Sequence, residues 1–266
     1  MILPKPPDLL VVTDLDSTLL DHHSYSFAPA IPALDRLKTL HIPLILNTSK
    51  TAAELVQIRK ALDNSAPFIV ENGAAVLMPE GEEKLNHYPG MNRAEILTVM
   101  NALRAQFSLR YTGFADMSPT EVAAITGLSI AEAELSQQRQ FTEPLLWEDT
   151  DEQWQLFTEG LHKAGLSVVK GGRFWHVSSG ADKGQALDYL RTYYLNKNGV
   201  RPLIIALGDS ENDIAMLRAA DFAVLVKSPA RDFPEFNHKR LLKTREYGPA
   251  GWNQAVLQIL AELEIL

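Results

Sequence analysis

With 266 residues, of which 46% are hydrophobic and 22% charged, the chain carries enough apolar material for one large core or two modest ones, which excludes intrinsic disorder. A formal net charge of −8 leaves no broad cationic surface, and no local basic patch replaces it, so nucleic acid is not an expected partner. There is no cysteine, so disulfides and thiolate metal sites are excluded as well.

The opening, Met1-Ile2-Leu3-Pro4-Lys5-Pro6-Pro7-Asp8, holds three prolines and leads into a run of only five strand-forming residues. That run is too short for a signal-peptide core or a membrane span, so a cytoplasmic protein with no membrane partner is expected. The run itself, Leu9-Leu10-Val11-Val12-Thr13, is apolar on both parities and reads as a strand buried on both faces, with two acids following it. Next come a helical period over 30–40, a strand at 42–46, a helix over 51–63 and a strand at 68–70. This βαβαβ order predicts a parallel sheet.

Across 79–177 the pattern changes, with helices at 93–106, 119–125 and 130–138 between short segments at 109–114 and 166–170. The βα pattern then resumes with a helix over 182–196, a strand at 203–207, a helix over 211–219, a strand at 222–226 and a final helix over 254–263. The expected architecture is an α/β, doubly wound parallel-sheet core of the Rossmann-like kind, built from 1–80 and 178–266. An α+β domain, 81–177, is inserted into it. Polar turn-formers sit at both junctions, Pro79-Glu80-Gly81-Glu82-Glu83 and Ser178-Ser179-Gly180.

Ligands of open parallel sheets bind outside the carboxyl ends of the strands, where four polar clusters fall: Asp14 and Asp16; Asn47-Thr48-Ser49-Lys50; Glu71-Asn72-Gly73; and Gly208-Asp209-Ser210-Glu211-Asn212-Asp213. Converging aspartates repel one another unless a cation is present, and oxygen-only ligands favour Mg²⁺. A carboxylate can attack phosphorus to give an aspartyl-phosphate, a role that suits Asp14. Asp16, two residues on, suits the general acid/base. Thr48 and Lys183 supply the hydroxyl and ammonium that a transferring phosphoryl group needs. Lys183 also opens a predicted helix whose first N–H groups favour an anion. Asp209 and Asp213, four apart at a predicted helix start, suit one metal ligand and one residue supporting it.

These segments resemble the haloacid-dehalogenase-like hydrolases. More narrowly, Thr48-Ser49-Lys50-Thr51, Glu71-Asn72-Gly73-Ala74, Arg139-Gln140-Phe141-Thr142-Glu143-Pro144, Gly172-Arg173-Phe174-Trp175-His176-Val177 and Gly248-Pro249-Ala250-Gly251-Trp252 resemble the mannosyl-3-phosphoglycerate phosphatase family. The resemblance runs from Asp14 to Trp252. It implies a phosphatase that acts on a phosphorylated small molecule, a glycosyl-3-phosphoglycerate, with the inserted domain as its cap. It also implies Asp14, the Asp16 carbonyl and Asp209 as Mg²⁺ ligands. Ser17 departs from it, standing where the wider family usually has glycine.

Taken singly, each of these residues has a plainer reading: Asp-x-Asp as a solvated turn, Lys183 as a surface lysine, Asp213 as an exposed helix residue. Lys50, Asn72 and Asn212 are candidate substrate contacts at the strand ends, and Arg139, Lys170 and Arg173 are candidates in the insertion, suited to a glycerate carboxylate. Arg173 is equally readable as the exposed start of an aromatic strand. Trp175 and His176 read as packing residues, while Glu71 and Glu143 either bind sugar hydroxyls or turn the chain. The adjacent His22 and His23 point opposite ways on an extended segment and are discounted as ligands. Three rivals stand: another capped sugar phosphatase or a phosphomutase; a receiver-type signalling domain, which needs only about 120 residues and no insertion; and a binding protein without chemistry. Oligomeric state is not legible.

Overall fold

A computed structural model of the chain describes residues 8–171, 173–180 and 182–265, so the proline-rich opening through residue 7, Gly172, Ala181 and Leu266 lie outside the described residues. The first segment runs β1 (Leu9–Thr13), α1 (Ile31–Thr39), β2 (Leu44–Asn47), α2 (Ala52–Leu62), β3 (Phe68–Val70) and β4 (Ala75–Leu77). The middle segment runs α3 (Arg93–Phe107), β5 (Tyr111–Gly113), α4 (Pro119–Thr126), α5 (Ile130–Gln137), β6 (Glu143–Trp147), α6 (Asp151–Lys163), β7 (Ser167–Gly171) and β8 (Phe174–Ser178). The last runs α7 (Lys183–Asn198), β9 (Leu203–Gly208), α8 (Ile214–Ala219), β10 (Phe222–Lys227), β11 (Leu241–Tyr247) and α9 (Gly248–Glu262).

Local sequence starts the helices where they start. Thr51, Asn92, Ser118 and Ser129 each accept a hydrogen bond from the backbone N–H three residues on, and Glu54, Glu95, Glu121 and Glu132 return it. Such capping boxes satisfy two of the free donors at a helix start.

Seven strands form one sheet in the order β11-β10-β9-β1-β2-β3-β4, parallel throughout except for the antiparallel β3–β4 edge. Because β2 and β3 extend to one side of β1 and β9 to β11 to the other, the winding reverses at β1/β9, where an open α/β sheet leaves its crevice. Thr13 pairs with both Leu46 and Leu207, so Asp14, Thr48 and Asp209 emerge at one level.

β1 is buried on both faces, as its continuous apolar run requires. Leu9 and Val11 meet Leu34 and Leu37 of α1, Leu55 of α2 and Trp252 of α9. Leu10 and Val12 meet Leu187 and Leu190 of α7 and Met216 of α8.

The middle segment forms a four-stranded antiparallel sheet, β5-β6-β8-β7. One face packs Leu145 and Val177 on Ile96 and Met100 of α3 and Phe157 and Leu161 of α6. The other face carries Phe174 against Val122 of α4 and Ala133 of α5. No helix among the described residues is long and apolar enough to cross a membrane.

Several elements differ from the sequence expectation. β4, three residues long, is too short to show a period. β6 begins Glu143-Pro144 and β11 is an edge strand with alternating charges, so neither reads as a buried strand. α6, absent from the expected elements, follows the helical spacing of Trp154, Phe157 and Leu161. α9 begins six residues before the expected start, because its first turn, Gly248-Pro249-Ala250-Gly251, is a poor helix former that tertiary packing fixes.

Trp252 is fully buried and donates from Nε1 at 2.9 Å to Oγ1 of Thr13, the residue that precedes Asp14. Trp252→Ala is expected to lower unfolding free energy by about 3–5 kcal/mol, and Trp252→Phe by much less. Denaturant titration measures both, and a loss below about 1 kcal/mol for the alanine variant would contradict this packing role.

Candidate active site

Asp14 leaves the end of β1 with 7% of its surface exposed, and its Oδ1 accepts a hydrogen bond from Lys183 Nζ at 2.7 Å. The same ammonium donates to Asp213 Oδ1 at 2.6 Å, and the Lys183 side chain is wholly buried. Burial alone would lower the Lys183 pKa; Asp14 and Asp213 outweigh it and hold it above the ordinary lysine range. Asn47, buried at the end of β2, donates from Nδ2 to the Lys183 carbonyl at 3.1 Å and fixes where the lysine starts. The first N–H groups of α7 do not await an anion, because Asp182 Oδ1 accepts from Gly184 and Gln185.

Asp209 and Asp213 meet, but not on one helical face. A single turn of 3₁₀ helix, Glu211–Asp213, precedes α8, and Asp213 Oδ2 accepts from the backbone N–H groups of Asp209 at 3.0 Å and Ser210 at 3.1 Å. Gly208 makes that approach possible, since a Cβ there would lie 2.5 Å from Asp213 Cβ. Asp213 thus has both oxygens committed to the chain, whereas Asp209 Oδ2 is buried with no hydrogen-bond partner among the described residues.

Carboxylate oxygens of Asp14, Asp209 and Asp213 lie within 4.8 Å of one another. Burial, with Asp213, Asp209 and Asp16 adding to it and Lys183 opposing it, pushes the Asp14 carboxyl up to about 8. Burial and Asp213 also raise Asp209, against Arg231, Ser228 and Lys183. With all three ionised, Lys183 and, at 3.6 Å from Asp209, Arg231 leave one negative charge uncompensated in the buried cluster. An all-oxygen donor set of that charge, in which Asp209 Oδ2 makes no hydrogen bond among the described residues, fits Mg²⁺.

Asp16 reaches the crevice with its side chain 42% exposed, and its Oδ2 pairs with Lys50 Nζ at 3.0 Å. Burial works to lower the Lys50 ammonium, but Asp16 and Glu54 hold it raised. Directly after the second aspartate the chain turns through Ser17 with φ 64°, the left-handed region that explains the usual glycine. Ser17 Oγ is hydrogen-bonded to His22 Nδ1 at 2.9 Å, so His22 braces the turn. Thr48 is buried at the end of β2, beside β1, where Oγ1 accepts from Lys50 N at 3.2 Å.

The turn Glu71-Asn72-Gly73 has three consecutive positive φ values, 52°, 62° and 95°. This costly backbone aims Glu71 out of the core towards the inserted segment. The buried Glu71 carboxylate accepts from Gln140 N at 2.8 Å, Phe141 N at 3.2 Å and Thr142 Oγ1 at 2.6 Å. It is therefore a clasp between the two sheets, neither a sugar ligand nor a mere turn residue. Gly73 abuts the junction by which the chain returns to the core, where a Cβ would sit 2.3 Å from the Asp182 carbonyl carbon. Glu143, also buried, is held by Arg93 Nε at 2.6 Å and by Ala115 N at 2.8 Å.

Of the remaining candidates, Asn72 Oδ1 accepts from Asn212 Nδ2 at 3.2 Å, linking two strand-end clusters. Arg139 donates to Thr142 Oγ1 at 2.8 Å and to the Ser49 carbonyl at 3.3 Å, next to Thr48. Lys170 is not brought to the crevice: it pairs with Trp175 across the strands and its ammonium lies 5.3 Å from that ring, on the face covered by α3 and α6. Arg173 is exposed in the β7–β8 turn. Asn47 belonged to a recognised cluster and Glu71 was left open between two readings, but Arg231, 3.6 Å from Asp209 Oδ2, carried no motif signal.

Comparison with known proteins agrees with this geometry. Residues 11–233 match the haloacid dehalogenase-like hydrolase family, and the chain belongs to it. It is 38% identical over 268 residues to the glucosyl-3-phosphoglycerate/mannosyl-3-phosphoglycerate phosphatase of Persephonella marina (strain DSM 14350 / EX-H1), covering 96% of this chain and 98% of that protein. The fold is shared with a phosphatase of the haloalkanoate enzyme superfamily from Bacteroides thetaiotaomicron (TM-score 0.65, 19% identity, 100% and 99% of the two chains). It is also shared with the sucrose-phosphatase of Synechocystis sp. PCC6803 (TM-score 0.61, 15% identity, 97% and 98%). The chain is a phosphomonoester hydrolase with a doubly wound α/β core and an inserted α+β cap.

Loss of the clasp should free the junction. In Glu71→Ala, hydrogen exchange at the amides of Gln140 and Phe141 is expected to rise at least about tenfold while β1 and β9 stay protected. Unchanged exchange there would exclude the clasp.

A pH dependence also follows. Folded Asp14 keeps its proton to about 8, against an ordinary 3.8, so between those values the metal-free folded chain binds more protons than the unfolded one and loses stability as pH rises. A cation must displace that proton, so its benefit grows with pH. The Mg²⁺-induced rise in melting temperature is expected to increase from about pH 6 to about pH 8, and Asp14→Asn should flatten the trend.

Proposed function

We propose that this chain hydrolyses a mannosyl- or glucosyl-3-phosphoglycerate to the glycosylglycerate and phosphate through an aspartyl-phosphate on Asp14. The observation that carries the reading is the buried Asp14 carboxylate, held by Lys183 within the acidic cluster, in a chain alike over almost its whole length to a phosphatase of that substrate class.

Lys183 engages Asp14 Oδ1 and leaves Oδ2 to attack. In the first step the Asp14 oxygen bonds to phosphorus, the bond from phosphorus to the glyceryl oxygen breaks, and Asp16 gives its proton to the departing alkoxide. In the second, Asp16 takes a proton from water as the water oxygen bonds to phosphorus and the aspartyl oxygen leaves. Thr48 donates its hydroxyl proton to a phosphoryl oxygen, and Lys183 offsets the developing charge. Asp14, the Asp16 carbonyl and Asp209 would hold Mg²⁺, with Asp213 in support; bound there, the ion neutralises phosphoryl charge and favours ionised Asp14. Lys50 orients Asp16, while Asn72 and Asn212 stand at the mouth.

Residues 81–177 act as the cap that excludes water and selects the leaving group. Support for a closed arrangement comes from Thr51 Oγ1, which donates to the Leu135 carbonyl at 2.9 Å, and from the Glu71 clasp. The proposal keeps the expected cytoplasmic location and a phosphorylated small molecule as the partner.

Asp14→Asn is expected to lower phosphate release by at least about a thousandfold, and chelation of Mg²⁺ to do the same reversibly. A panel of glycosyl-3-phosphoglycerates, hexose phosphates, sucrose phosphate and a phosphorylated flavin precursor, compared by kcat/KM, should favour the first group. A preference for any other would refute the substrate assignment while leaving the phosphatase chemistry intact.

A further inference from the structure

Shortly after Asp16 the chain makes a tight loop, residues 21–26, that is bonded chiefly to itself. Asp21 N donates to the Ser26 carbonyl at 2.9 Å and Tyr25 N to the Asp21 carbonyl at 3.0 Å. Asp21 Oδ1 accepts from His23 N at 3.1 Å and from Ser24 N and Oγ at 2.8 Å each. The Ser17–His22 hydrogen bond ties the loop to the turn behind it. Tyr25 is held at φ 54°, in the left-handed region that an aromatic residue rarely adopts and that glycine would take with less strain. Burial does not account for the tyrosine, because 55% of it is exposed. A strained backbone that presents an open ring beside a reactive crevice is the mark of a functional position.

The ring stands at the seam between core and cap. Lys50 Nζ lies 5.6 Å from its centroid and pairs with Asp16 Oδ2 at 3.0 Å. One ammonium therefore separates the ring from the carboxylate proposed to protonate the leaving oxygen. Thr51, next to Lys50, donates to the Leu135 carbonyl of the cap at 2.9 Å. The ammonium sits near the outer limit of a cation–π contact, and with over half the residue open a face of the ring is left for a ligand.

A pyranose presents a face of C–H bonds that an aromatic ring covers, while the hydroxyls at its rim keep polar partners such as the tyrosine hydroxyl. In a 3-phosphoglycerate the hydroxyl left for glycosylation is on the carbon adjoining the phosphoester carbon. The sugar thus lies one carbon from the group that Asp16 serves, and Tyr25 lies one side chain from Asp16. We infer that Tyr25 is the platform against which the sugar of the substrate stacks, a specificity contact supplied by the core and not by the cap. This inference rests on the phosphoglycerate reading above, because that substrate carries the sugar.

The test compares kcat/KM for mannosyl-3-phosphoglycerate with that for 3-phosphoglycerate, which has the same phosphoester and no sugar. The wild-type chain should prefer the glycosylated ester by at least about a hundredfold, and Tyr25→Gly should cut that preference at least about tenfold, chiefly through KM. Tyr25→Phe, which keeps the ring face, should hold the preference within about threefold. Because glycine suits the left-handed backbone, Tyr25→Gly should not lower the melting temperature. If Tyr25→Gly keeps the wild-type preference, or if both esters lose activity in step with a fall in melting temperature, the ring is a structural part of the loop and the inference is overturned. If the wild-type chain acts on neither ester or shows no preference between them, the phosphoglycerate reading fails and the inference fails with it.

Discussion

The Lys183 ammonium, shared between Asp14 and Asp213 and withdrawn from water, is the constraint on which the rest of the site depends. A buried ion pair is weak evidence for stability, since desolvation consumes most of its Coulomb energy, but breaking it strands a charge. Here the lysine starts α7 on one side of the crevice, Asp14 ends β1, and Asp213 closes the loop after β9. One ammonium therefore sets the spacing of three segments far apart in sequence. Asn47 from β2 holds the lysine backbone and adds a fourth.

That cross-link leaves the negative charges on the side towards β9. Asp213 is spent on Lys183 and two backbone N–H groups, so Asp14 and Asp209 retain acceptor capacity, and Asp209 Oδ2, which makes no hydrogen bond among the described residues and has Arg231 only at 3.6 Å, is the sharpest sign of it. Burial raises both carboxyls, and a divalent cation reverses that tendency. Metal binding and the ionisation of the nucleophile are thus one equilibrium, which ties the reaction to the cation without a separate switch.

The junction between the sheets follows from the same crevice. Glu71, forced outward by a turn with three positive φ values, collects three donors from residues 140–142, and Gly73 lets the backbone of Asp182 come within contact of the same turn. The contact with cap residues 140–142 and the return of the chain into the core at Asp182 therefore meet at Glu71-Asn72-Gly73, beside Lys183. Strain at this turn is offset by satisfied hydrogen bonds, and its yield is a cap seated at a fixed distance from Asp14.

By itself the sequence determined the parallel core and located the residues proposed to react. Continuous apolar strands and capped helices are local patterns, and Asp14, Asp16, Thr48, Lys183 and Asp209 stand at strand or helix ends that such patterns locate. It also singled out Ser17, whose φ of 64° explains why glycine is usual at that position. Only the tertiary structure decided the partnerships. The short β4, the proline-bearing β6 and the charged β11 are held by pairing with neighbours and not by their own periods. Glu71 became a clasp, Lys170 fell on the helix-covered face of the cap, and His176 took the face opposite Trp175 and Val177. Those outcomes depend on register and on which face a side chain takes. Register is fixed by contacts between residues distant in sequence, so no local reading of charge or periodicity could assign them.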